Sequence, residues 1–397
     1  MGSAERSSPS NRFELFAVAA PGLEPIVAHE LTALGLRPGR LEPGGASFGG
    51  TIDDLARANL WLRTATRVVA RVGEFHARAF GELERHARRL PWERLLTVRR
   101  PVRLRVTCKK SRLYHSDAVA ERLAGAIDAR LGSGASFALE GGDDDALPDD
   151  AQLVIARVFH DRCTVSADSS GELLHRRGYR LATAKAPLRE TLAAAMLLGS
   201  GWDPGRPLID PLCGSGTIPI EAALLARRIA PGLYRRFAFM DWPEFDAARW
   251  EHMLDDARAR IAPEAPAPIQ GSDRDAGAIE AALQNAERAG VGADVELRQA
   301  PLSAISPPRG PGWLVTNPPY GARVGDRDTL RNLYSQLGNV ARAKAVRWTL
   351  AFLSPAAELE TRVGVELATV FQTRNGGIPV RLVRGRVGGA VKLRSRR

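Results

Sequence analysis

The sequence of 397 residues contains only three cysteines, Cys108, Cys163 and Cys213, and no Cys-x-x-Cys. A disulfide framework needs paired cysteines and a structural zinc site needs closely spaced ligands, so the sequence predicts neither of them. No bound metal is expected. A chain without disulfides is typical of a reducing compartment, and the predicted location is the cytoplasm.

Long apolar segments are also missing. No window approaches the roughly 20 apolar residues that span a bilayer, and the polar residues 1–11 lack the apolar core of a signal peptide, so no membrane association is expected. Acidic residues are outnumbered, with 45 Asp and Glu against 56 Lys and Arg, which gives a net charge of +11. This excess favours a polyanionic partner such as RNA without identifying it. Nothing in the sequence indicates an oligomeric state.

The first part of the chain has the pattern of a small α+β domain. A strand from Phe13, a Pro-Gly turn and a helix with Leu23, Val27 and Leu31 on one face form a β-turn-α unit. A second helix over residues 52–62 and a strand at residues 66–72 follow. Two further strands are predicted at 152–158 and 163–167. Before them, the acidic, glycine-containing residues 139–150 predict an exposed loop.

Two basic clusters are candidates for RNA contact. Seven basic residues and no acid lie between Arg99 and Arg112, where alternating apolar positions predict a strand. The cluster HRRGYR at 175–180 adds a tyrosine that can stack on a base. The alternative for the first cluster is a merely solvated strand face. The residues predicted to bind RNA are Arg103, Arg105, Lys109, Lys110, Arg112, Arg176, Arg177 and Tyr179.

After residue 187 helices alternate with five short apolar strands, at 207–209, 268–270, 295–297, 313–315 and 348–352. Such alternation is typical of a doubly wound parallel sheet. The end of the chain, from Ile378, contains seven basic residues and no acid. Phosphate contacts are one interpretation of this end, and a frayed tail beyond Gly389 is the other.

A glycine loop follows the first of these strands, in PLIDPLCGSGTIPIEAAL at 207–224. Gly214 and Gly216 let the backbone approach a ligand, because a side chain at either position would occupy the ligand's space. One Gly-x-Gly is weak by itself. The next strand ends in Asp273, whose carboxylate can accept hydrogen bonds from both hydroxyls of a ribose. Asp275 is the better candidate for the N-cap of the helix that begins near Ala276.

The fourth strand of this half ends in VTNPPYG. Its two prolines hold the segment extended and aim Asn317 outward. The amide oxygen of Asn317 and the carbonyl of Pro318 can each accept an N–H of an exocyclic amine, which orients the nitrogen lone pair and offsets developing charge. Tyr320 can stack on a flipped base. In isolation the motif would be an ordinary turn, but its place after a glycine loop and an acid predicts catalysis by Asn317, Pro318 and Tyr320.

These motifs together resemble the THUMP-domain RNA methyltransferases, most closely the bacterial 23S rRNA guanine-N2 methyltransferases with a single methyltransferase module. The matching segments are HRRGYR, APLRETLAAAML, DPLCGSGTIPIEAAL, GSDRD and TNPPYG. The resemblance implies an α/β chain with a Rossmann-like class I methyltransferase domain at 169–397. It also implies an α+β ferredoxin-like segment at 11–65 and a THUMP RNA-binding domain at 66–168.

The resemblance implies S-adenosylmethionine as cofactor, with residues 187–191 closing over it. The cofactor-binding residues it implies are Asp210, Cys213, Gly214, Ser215, Gly216, Asp273, Leu188, Thr191 and Asn317. Relatives commonly place an acid near the adenine after the third strand, where this chain has Gln299, Ala300 and Pro301, so backbone groups around Leu302 are expected to serve instead.

The implied substrate is a guanine of 23S rRNA, and a guanine of transfer RNA is the first alternative. Adenine in DNA and a glutamine amide in protein offer a similar nitrogen. A non-catalytic RNA-binding assembly factor is a further alternative, which the intact cofactor loop disfavours.

Overall fold

The computed structural model describes residues 12–132, 134–139, 151–180, 188–320 and 327–388. The chain divides into two compact units. The first takes the described residues up to Val18 together with Ala28–Leu174 and Arg235–Leu254, and the second takes Ala19–Val27, His175–Tyr234 and the residues from Asp255 onward. The domain boundaries predicted at 65/66 and 168/169 stay predictions. Most of the predicted acidic loop lies outside the described residues.

The first unit is built on an eight-stranded sheet in the order β2-β3-β1-β4-β8-β7-β5-β6. Its strands are β1 (Phe13–Ala19), β2 (Pro38–Glu42), β3 (Gly45–Gly50), β4 (Ala65–His76), β5 (Val102–Lys109), β6 (Phe137–Leu139), β7 (Gln152–Phe159) and β8 (Arg162–Asp168). The helices of this part of the chain are α1 (Glu24–Ala33), α2 (Ile52–Trp61), α3 (Phe80–Ala87) and α4 (Ser116–Leu131). The strands predicted at 66–72, 152–158 and 163–167 are confirmed as parts of β4, β7 and β8.

The second unit is built on a seven-stranded sheet in the order β11-β10-β9-β12-β13-β15-β14. Its strands are β9 (Leu208–Asp210), β10 (Ile269–Asp273), β11 (Val295–Gln299), β12 (Trp313–Thr316), β13 (Thr349–Ser354), β14 (Ala368–Asn375) and β15 (Ile378–Arg386). The helices are α5 (Glu190–Ser200), α6 (Thr217–Ala226), α7 (Ala247–Ala259, which begins in the first unit), α8 (Ala276–Arg288), α9 (Arg327–Lys344) and α10 (Ala357–Val363).

The five strands β11, β10, β9, β12 and β13 run parallel to one another. Helices cover the faces of such a sheet, so the central strands β9, β12 and β13 are almost entirely buried, while the edge strand β11 is only partly buried. All five strands predicted from the sequence are confirmed, and so is the Rossmann-like α/β fold class. The strand order reverses at β9, since β10 lies on one side of it and β12 on the other. Ligands of doubly wound sheets bind at the carboxyl ends of the strands at such a reversal.

The basic end of the chain begins as a strand. Residues 378–386 form β15, which lies between β13 and β14 and pairs antiparallel with both. The phosphate contacts predicted for this end stay a prediction. Arg381 Nε forms an ion pair with Glu360 Oε1 at 2.5 Å, and Arg384 Nη1 donates to the carbonyl of Ser200 at 3.3 Å. Residues 389–397 lie outside the described part of the chain. Within the described residues, no helix has both the length and the apolar character needed to cross a bilayer.

Candidate functional site

Three polar side chains meet where β9, β10 and β12 end. Asp210 ends β9, Asp273 ends β10 and Thr316 ends β12. Thr316 Oγ1 donates to Asp210 Oδ1 at 2.6 Å, which ties β12 to β9. The backbone N–H of Gly214 donates to Asp273 Oδ2 at 3.0 Å, which ties the glycine loop to β10. The three sequence motifs therefore form one site at the strand reversal.

The glycine loop folds back on the strand ends through its own backbone. The N–H of Leu212 donates to Asp210 Oδ1 at 3.1 Å, and the N–H of Cys213 donates to the carbonyl of Ser272 at 3.0 Å. Gly214 has φ +52°, and a Cβ added to it would have no atom within 4 Å. The space beside Gly214 is therefore open, as expected for a backbone that a ligand approaches.

Gly216 serves a different purpose from the one predicted. Its φ is +83°, and an added Cβ would lie 2.9 Å from Cβ of Ala282 on α8. The absence of a side chain lets α6 and α8 pack closely, and the obstacle to a larger residue is protein rather than ligand space. The predicted reason for a glycine at this position, room for a ligand, is therefore wrong, while contact of the Gly216 backbone with the cofactor stays a prediction.

The carboxyl of Asp210 is fully buried, and this burial raises its pKa to about 7. The hydrogen bonds from Thr316 and Leu212 oppose the rise, and the nearby charge of Asp273 adds to it. Burial together with Asp210 and Asp273 also raises the pKa of the Cys213 thiol. Two neighbouring acids favour a cationic ligand, because such a ligand stabilises the ionised form of Asp210.

The carboxylate of Asp273 accepts hydrogen bonds from two backbone N–H groups and still has free acceptor capacity. Its Oδ1 accepts from the N–H of Asp275 at 3.1 Å, while its Oδ2 accepts from Gly214. Each carboxylate oxygen has a second lone pair, so Asp273 can still accept hydrogen bonds from a ligand. Asp275 is confirmed as the N-cap of α8, since its side chain accepts from the N–H groups of Gly277 and Ala278.

The Asn-Pro-Pro-Tyr segment leaves β12 directly after Thr316. Asn317 is half-buried, and its Oδ1 is fully shielded from solvent yet accepts no hydrogen bond within the described part of the chain. Pro318 is buried and Tyr320 is half-buried. A shielded acceptor without a donor is costly, so Asn317 Oδ1 is a position where a ligand N–H would be favoured.

Tyr320 has a partner that the sequence analysis missed. Asn375 Nδ2, at the end of β14, donates to the Tyr320 hydroxyl at 2.6 Å. Burial raises the pKa of Tyr320, and this hydrogen bond lowers it by a smaller amount. The alternating residues before the Asn-Gly-Gly turn at 375–377 could have identified the hairpin. Its contact with Tyr320, 55 residues away, has no counterpart in the sequence pattern.

The HRRGYR cluster is oriented differently from the prediction. The side chains of Arg177 and Tyr179 are buried and converge on Glu221 of α6, which is fully buried. Arg177 Nε lies 3.2 Å from Glu221 Oε1, and the Tyr179 hydroxyl donates to the same oxygen at 3.1 Å. These two residues therefore belong to the interior of the second unit instead of an RNA-facing surface. Arg176 is exposed, and its contact with RNA stays a prediction.

Arg180 of the same cluster anchors the start of α5. Its Nη1 donates to the carbonyl of Leu188 at 2.7 Å, and its Nε lies 3.2 Å from Glu190 Oε1. Burial raises the pKa of Glu190 to about 7. Leu188 and Thr191 are both buried, and their contact with a cofactor stays a prediction. Pro187, the first residue of the predicted closing segment, lies outside the described residues.

The basic strand of the first unit divides into a buried and an exposed part. Arg103 on β5 is buried, which corrects its predicted RNA contact, and Arg105 is half-buried. Lys109, Lys110 and Arg112 are exposed where β5 ends. We call these last three residues the basic tip.

Two exposed aromatic rings lie near the basic tip, Tyr114 through the chain and Phe159 through the pairing of β7 with β5. Phe159 of β7 pairs in register with Lys109 and is 39% exposed, and Tyr114 is 69% exposed. Exposed rings among lysines and arginines are typical of surfaces that bind unpaired nucleic acid.

The segment after β11 forms its own backbone contacts. The N–H of Ala300 donates to the carbonyl of Asp273 at 2.9 Å, and Gln299 Nε2 donates to the carbonyl of Arg274 at 3.1 Å. Leu302 is buried. The expectation that backbone groups here contact an adenine stays a prediction. In the described residues, no group of three or more His, Cys, Asp or Glu side chains is placed to hold a metal ion.

Comparison with known proteins identifies relatives of both parts of the chain. Residues 177–384 match the family described as "RMKL-like, methyltransferase domain", and residues 14–69 match the "RlmL ferredoxin-like domain". The chain is 36% identical over 374 residues to a "Putative RNA methyltransferase" of Synechocystis, covering 93% of this chain and 95% of that protein. It is 37% identical to the "Ribosomal RNA large subunit methyltransferase K/L" of Syntrophotalea carbinolica, of which it covers 53%. The chain thus spans about half the length of such K/L relatives.

Solved structures share the architecture of the whole chain. A "predicted N6-adenine-specific DNA methylase" from Listeria monocytogenes matches with TM-score 0.84 and 34% identity, covering 96% of this chain and 99% of that one. A "putative methyltransferase complexed with SAH" matches with TM-score 0.84 and 32% identity, covering 96% and 100%. The names of these relatives agree on methyl transfer and differ on the nucleic acid.

Proposed function

The chain belongs to the RMKL-like methyltransferase family, and on this premise we propose that it methylates the exocyclic N2 of a guanine in 23S rRNA. S-adenosylmethionine, the methyl donor of this family, is its cofactor, and a relative at 32% identity carries SAH, the demethylated product, in its crystal structure. The family and the cofactor predicted from the sequence are therefore confirmed. The base, the atom and the RNA are the part that we propose.

The unpartnered amide oxygen of Asn317 is the observation that carries the proposal. An exocyclic amine on a base is a poor nucleophile, because its lone pair is delocalised into the ring. An amine that donates one N–H to Asn317 Oδ1 and the other to the carbonyl of Pro318 has its lone pair held in one direction. The same two oxygens stabilise the positive charge that develops on nitrogen as the new bond forms. The stiff Pro-Pro segment keeps both acceptors in place.

The residues around the glycine loop fit the proposed cofactor. When bound, S-adenosylmethionine supplies a methyl group on a positively charged sulfur. Asp210 and Asp273 provide the negative charge that such a cation favours, and Asp273 has acceptor capacity for the hydroxyls of a ribose. Gly214 offers an unobstructed backbone. Leu188, Thr191, Cys213 and Ser215 remain proposed cofactor contacts.

The names of relatives support ribosomal RNA as the substrate, and exposed positive charge supports an RNA substrate in general. Several relatives that match over 91–93% of this chain are named as large-subunit ribosomal RNA methyltransferases. The basic tip and Arg176 provide exposed positive charge, and phosphate contacts by such residues are non-specific in sequence. Tyr320, beside Asn317 in the chain, supplies a ring on which an extruded base can stack.

Methyl transfer to transcribed fragments of 23S rRNA tests the proposal. The purified protein and S-adenosylmethionine are incubated with overlapping fragments, and the nucleosides are separated and weighed by mass spectrometry. We expect N2-methylguanosine in one fragment, formed about 10²- to 10³-fold more slowly when Asn317 is replaced by Ala. Methylation at another base or another guanine atom would contradict the proposed specificity.

A competition experiment separates the main alternatives. Transfer RNA and a DNA duplex containing adenine are added to the same reaction with distinguishable labels. Preferential label in the tRNA would support a tRNA guanine-N2 methyltransferase, and label in DNA adenine would support the activity in the Listeria protein's name. A protein that binds RNA but takes up no S-adenosylmethionine in calorimetry would be an assembly factor.

A further inference from the structure

We propose that Asn375 is a positioning residue, which holds the ring of Tyr320 ready to receive the target base. This inference rests on the proposed function, because it assigns a role in base binding to a residue outside every motif discussed above. It starts from the hydrogen bond of 2.6 Å between Asn375 Nδ2 and the Tyr320 hydroxyl.

The position of Asn375 is fixed by a tight hairpin. Asn375 pairs with Ile378 across a two-residue turn in which Gly376 has φ +55° and Gly377 has φ +82°. Two consecutive positive φ values define the turn type that matches the twist of the flanking strands, so the register of β14 and β15 leaves little freedom. Arg374 Nη1 also donates to the carbonyl of Gly377 at 3.1 Å across the turn. The hairpin therefore fixes the backbone from which the Asn375 side chain extends.

Asn375 also lies on the side of β14 that faces the protein. Phe371 and Thr373 are buried, Asn375 is half-buried, and Gln372 and Arg374 between them are exposed. Alternate residues of a strand point to opposite faces, so Asn375 shares the covered face with Phe371 and Thr373. The amide thus reaches Tyr320 from the covered face of the sheet and does not extend from a solvent-exposed loop.

Tyr320 needs such an anchor because the backbone before it restrains only one end of the side chain. Pro318 and Pro319 fix the backbone up to Tyr320, while the ring can still rotate about its side-chain bonds. A hydrogen bond to the hydroxyl, at the far end of the ring, restrains that rotation. Restraint before binding means that less conformational entropy is lost when a base stacks on the ring. The hydroxyl accepts from Asn375 and so keeps its own hydrogen for a further acceptor.

A double-mutant cycle tests the role of Asn375. The four proteins are the unaltered chain, Asn375→Ala, Tyr320→Phe and the double variant, and Gln372→Ala on the exposed face of β14 is the matched control. We expect Asn375→Ala to raise KM for RNA by about five- to tenfold, the range for one lost hydrogen bond, with kcat and cofactor affinity little changed. Tyr320→Phe should have a similar effect. The double variant should be no worse than either single one, because both changes remove the same contact.

A second measurement detects the contact without any reaction. The chain has five tyrosines, so ring ¹³C labels give few NMR signals, and the one lost in a Tyr320→Phe protein identifies Tyr320. In Asn375→Ala this signal should shift and its pH titration should move upward, since the hydrogen bond lowers the pKa of Tyr320. Gln372→Ala should leave the signal unchanged.

The outcomes separate this inference from the proposed function. An unaltered Tyr320 signal, an unchanged KM, or additive losses in the double variant would each overturn the role of Asn375 while RNA methylation stands. A shifted signal in a protein that methylates no RNA would instead refute the proposed function, and the role in base binding would fall with it. Melting curves confirm that each variant is folded.

Discussion

The hydroxyl of Thr316 donates a hydrogen bond of 2.6 Å to Oδ1 of Asp210, joining residues 106 positions apart in the chain. Thr316 immediately precedes Asn317, and Asp210 begins the glycine loop. The bond thus couples the segment proposed to hold the base to the segment proposed to hold the cofactor. Its buried position makes it stronger than an exposed bond of the same length.

Replacing Asn317 tests the proposed chemical step. Asn317→Ala should lower kcat by about 10²- to 10³-fold, the loss typical for one preorganised group that stabilises transition-state charge. Calorimetry should show unchanged affinity for S-adenosylmethionine, because the amide is proposed to bind the amine. Asn317→Asp keeps an acceptor oxygen at the position and should retain more activity than the Ala variant. An equal loss of cofactor affinity in the Ala variant would contradict the proposed role.

The raised pKa of Asp210 predicts a dependence of stability on pH. The folded-state pKa is about 7, above the ordinary value of 3.8, so between these values the folded protein binds more protons than the unfolded one. Stability from this group is fully present below pH 3.8 and is lost as pH rises through 7. Thermal unfolding of the ligand-free protein should therefore show a decline over this range that is smaller in Asp210→Asn. An identical pH dependence in the two proteins would exclude this role of Asp210.

The two loop glycines should respond differently to substitution. Gly214→Ala and Gly216→Ala both place a side chain at positive φ, a strain of roughly 1–2 kcal/mol. Gly216→Ala also forces a Cβ to 2.9 Å from Ala282, and overpacking adds about 1–3 kcal/mol. Urea denaturation should thus show the larger loss for Gly216→Ala. The double variant Gly216→Ala/Ala282→Gly should recover part of it, and no recovery would argue against the packing role.

The buried ion pair between Arg177 and Glu221 should lose more stability when one charge is removed than when both are removed. Arg177→Met leaves Glu221 fully buried without its cation, which should cost about 3–5 kcal/mol of unfolding free energy. The double variant Arg177→Met/Glu221→Gln removes both charges and should be more stable than the single one. Chemical denaturation measures both. A loss of RNA affinity without a loss of stability in Arg177→Met would restore the predicted RNA contact.

The basic tip should determine part of the salt dependence of RNA binding. Changing Lys109, Lys110 and Arg112 together to Gln should reduce the slope of log affinity against log salt by roughly one unit for each lost phosphate contact. Fluorescence anisotropy with a labelled 23S rRNA fragment at several salt concentrations measures this slope. Arg258→Gln, at an exposed arginine of α7, is the control for the loss of a positive surface charge outside the basic tip. An unchanged slope in the triple variant would place the RNA elsewhere.

Several features could be predicted from the sequence because their causes are local. The five parallel strands follow from short apolar runs between helices, and Asp275 follows from the capping preference of a short acid before a helix. The order of the glycine loop, Asp273 and Asn317 was sufficient to predict a single site, because parallel strands bring their carboxyl ends to one edge of a sheet.

Other features depend on which residues the folded chain brings together. The sequence alone determined the α/β class, the family and the three motifs, since each is written in neighbouring residues. Only the tertiary structure decided that Arg177 and Tyr179 turn inward to Glu221, that Gly216 makes room for Ala282, and that Asn375 reaches Tyr320. Burial and contacts between distant segments arise from packing, which the type and spacing of residues along the chain do not specify.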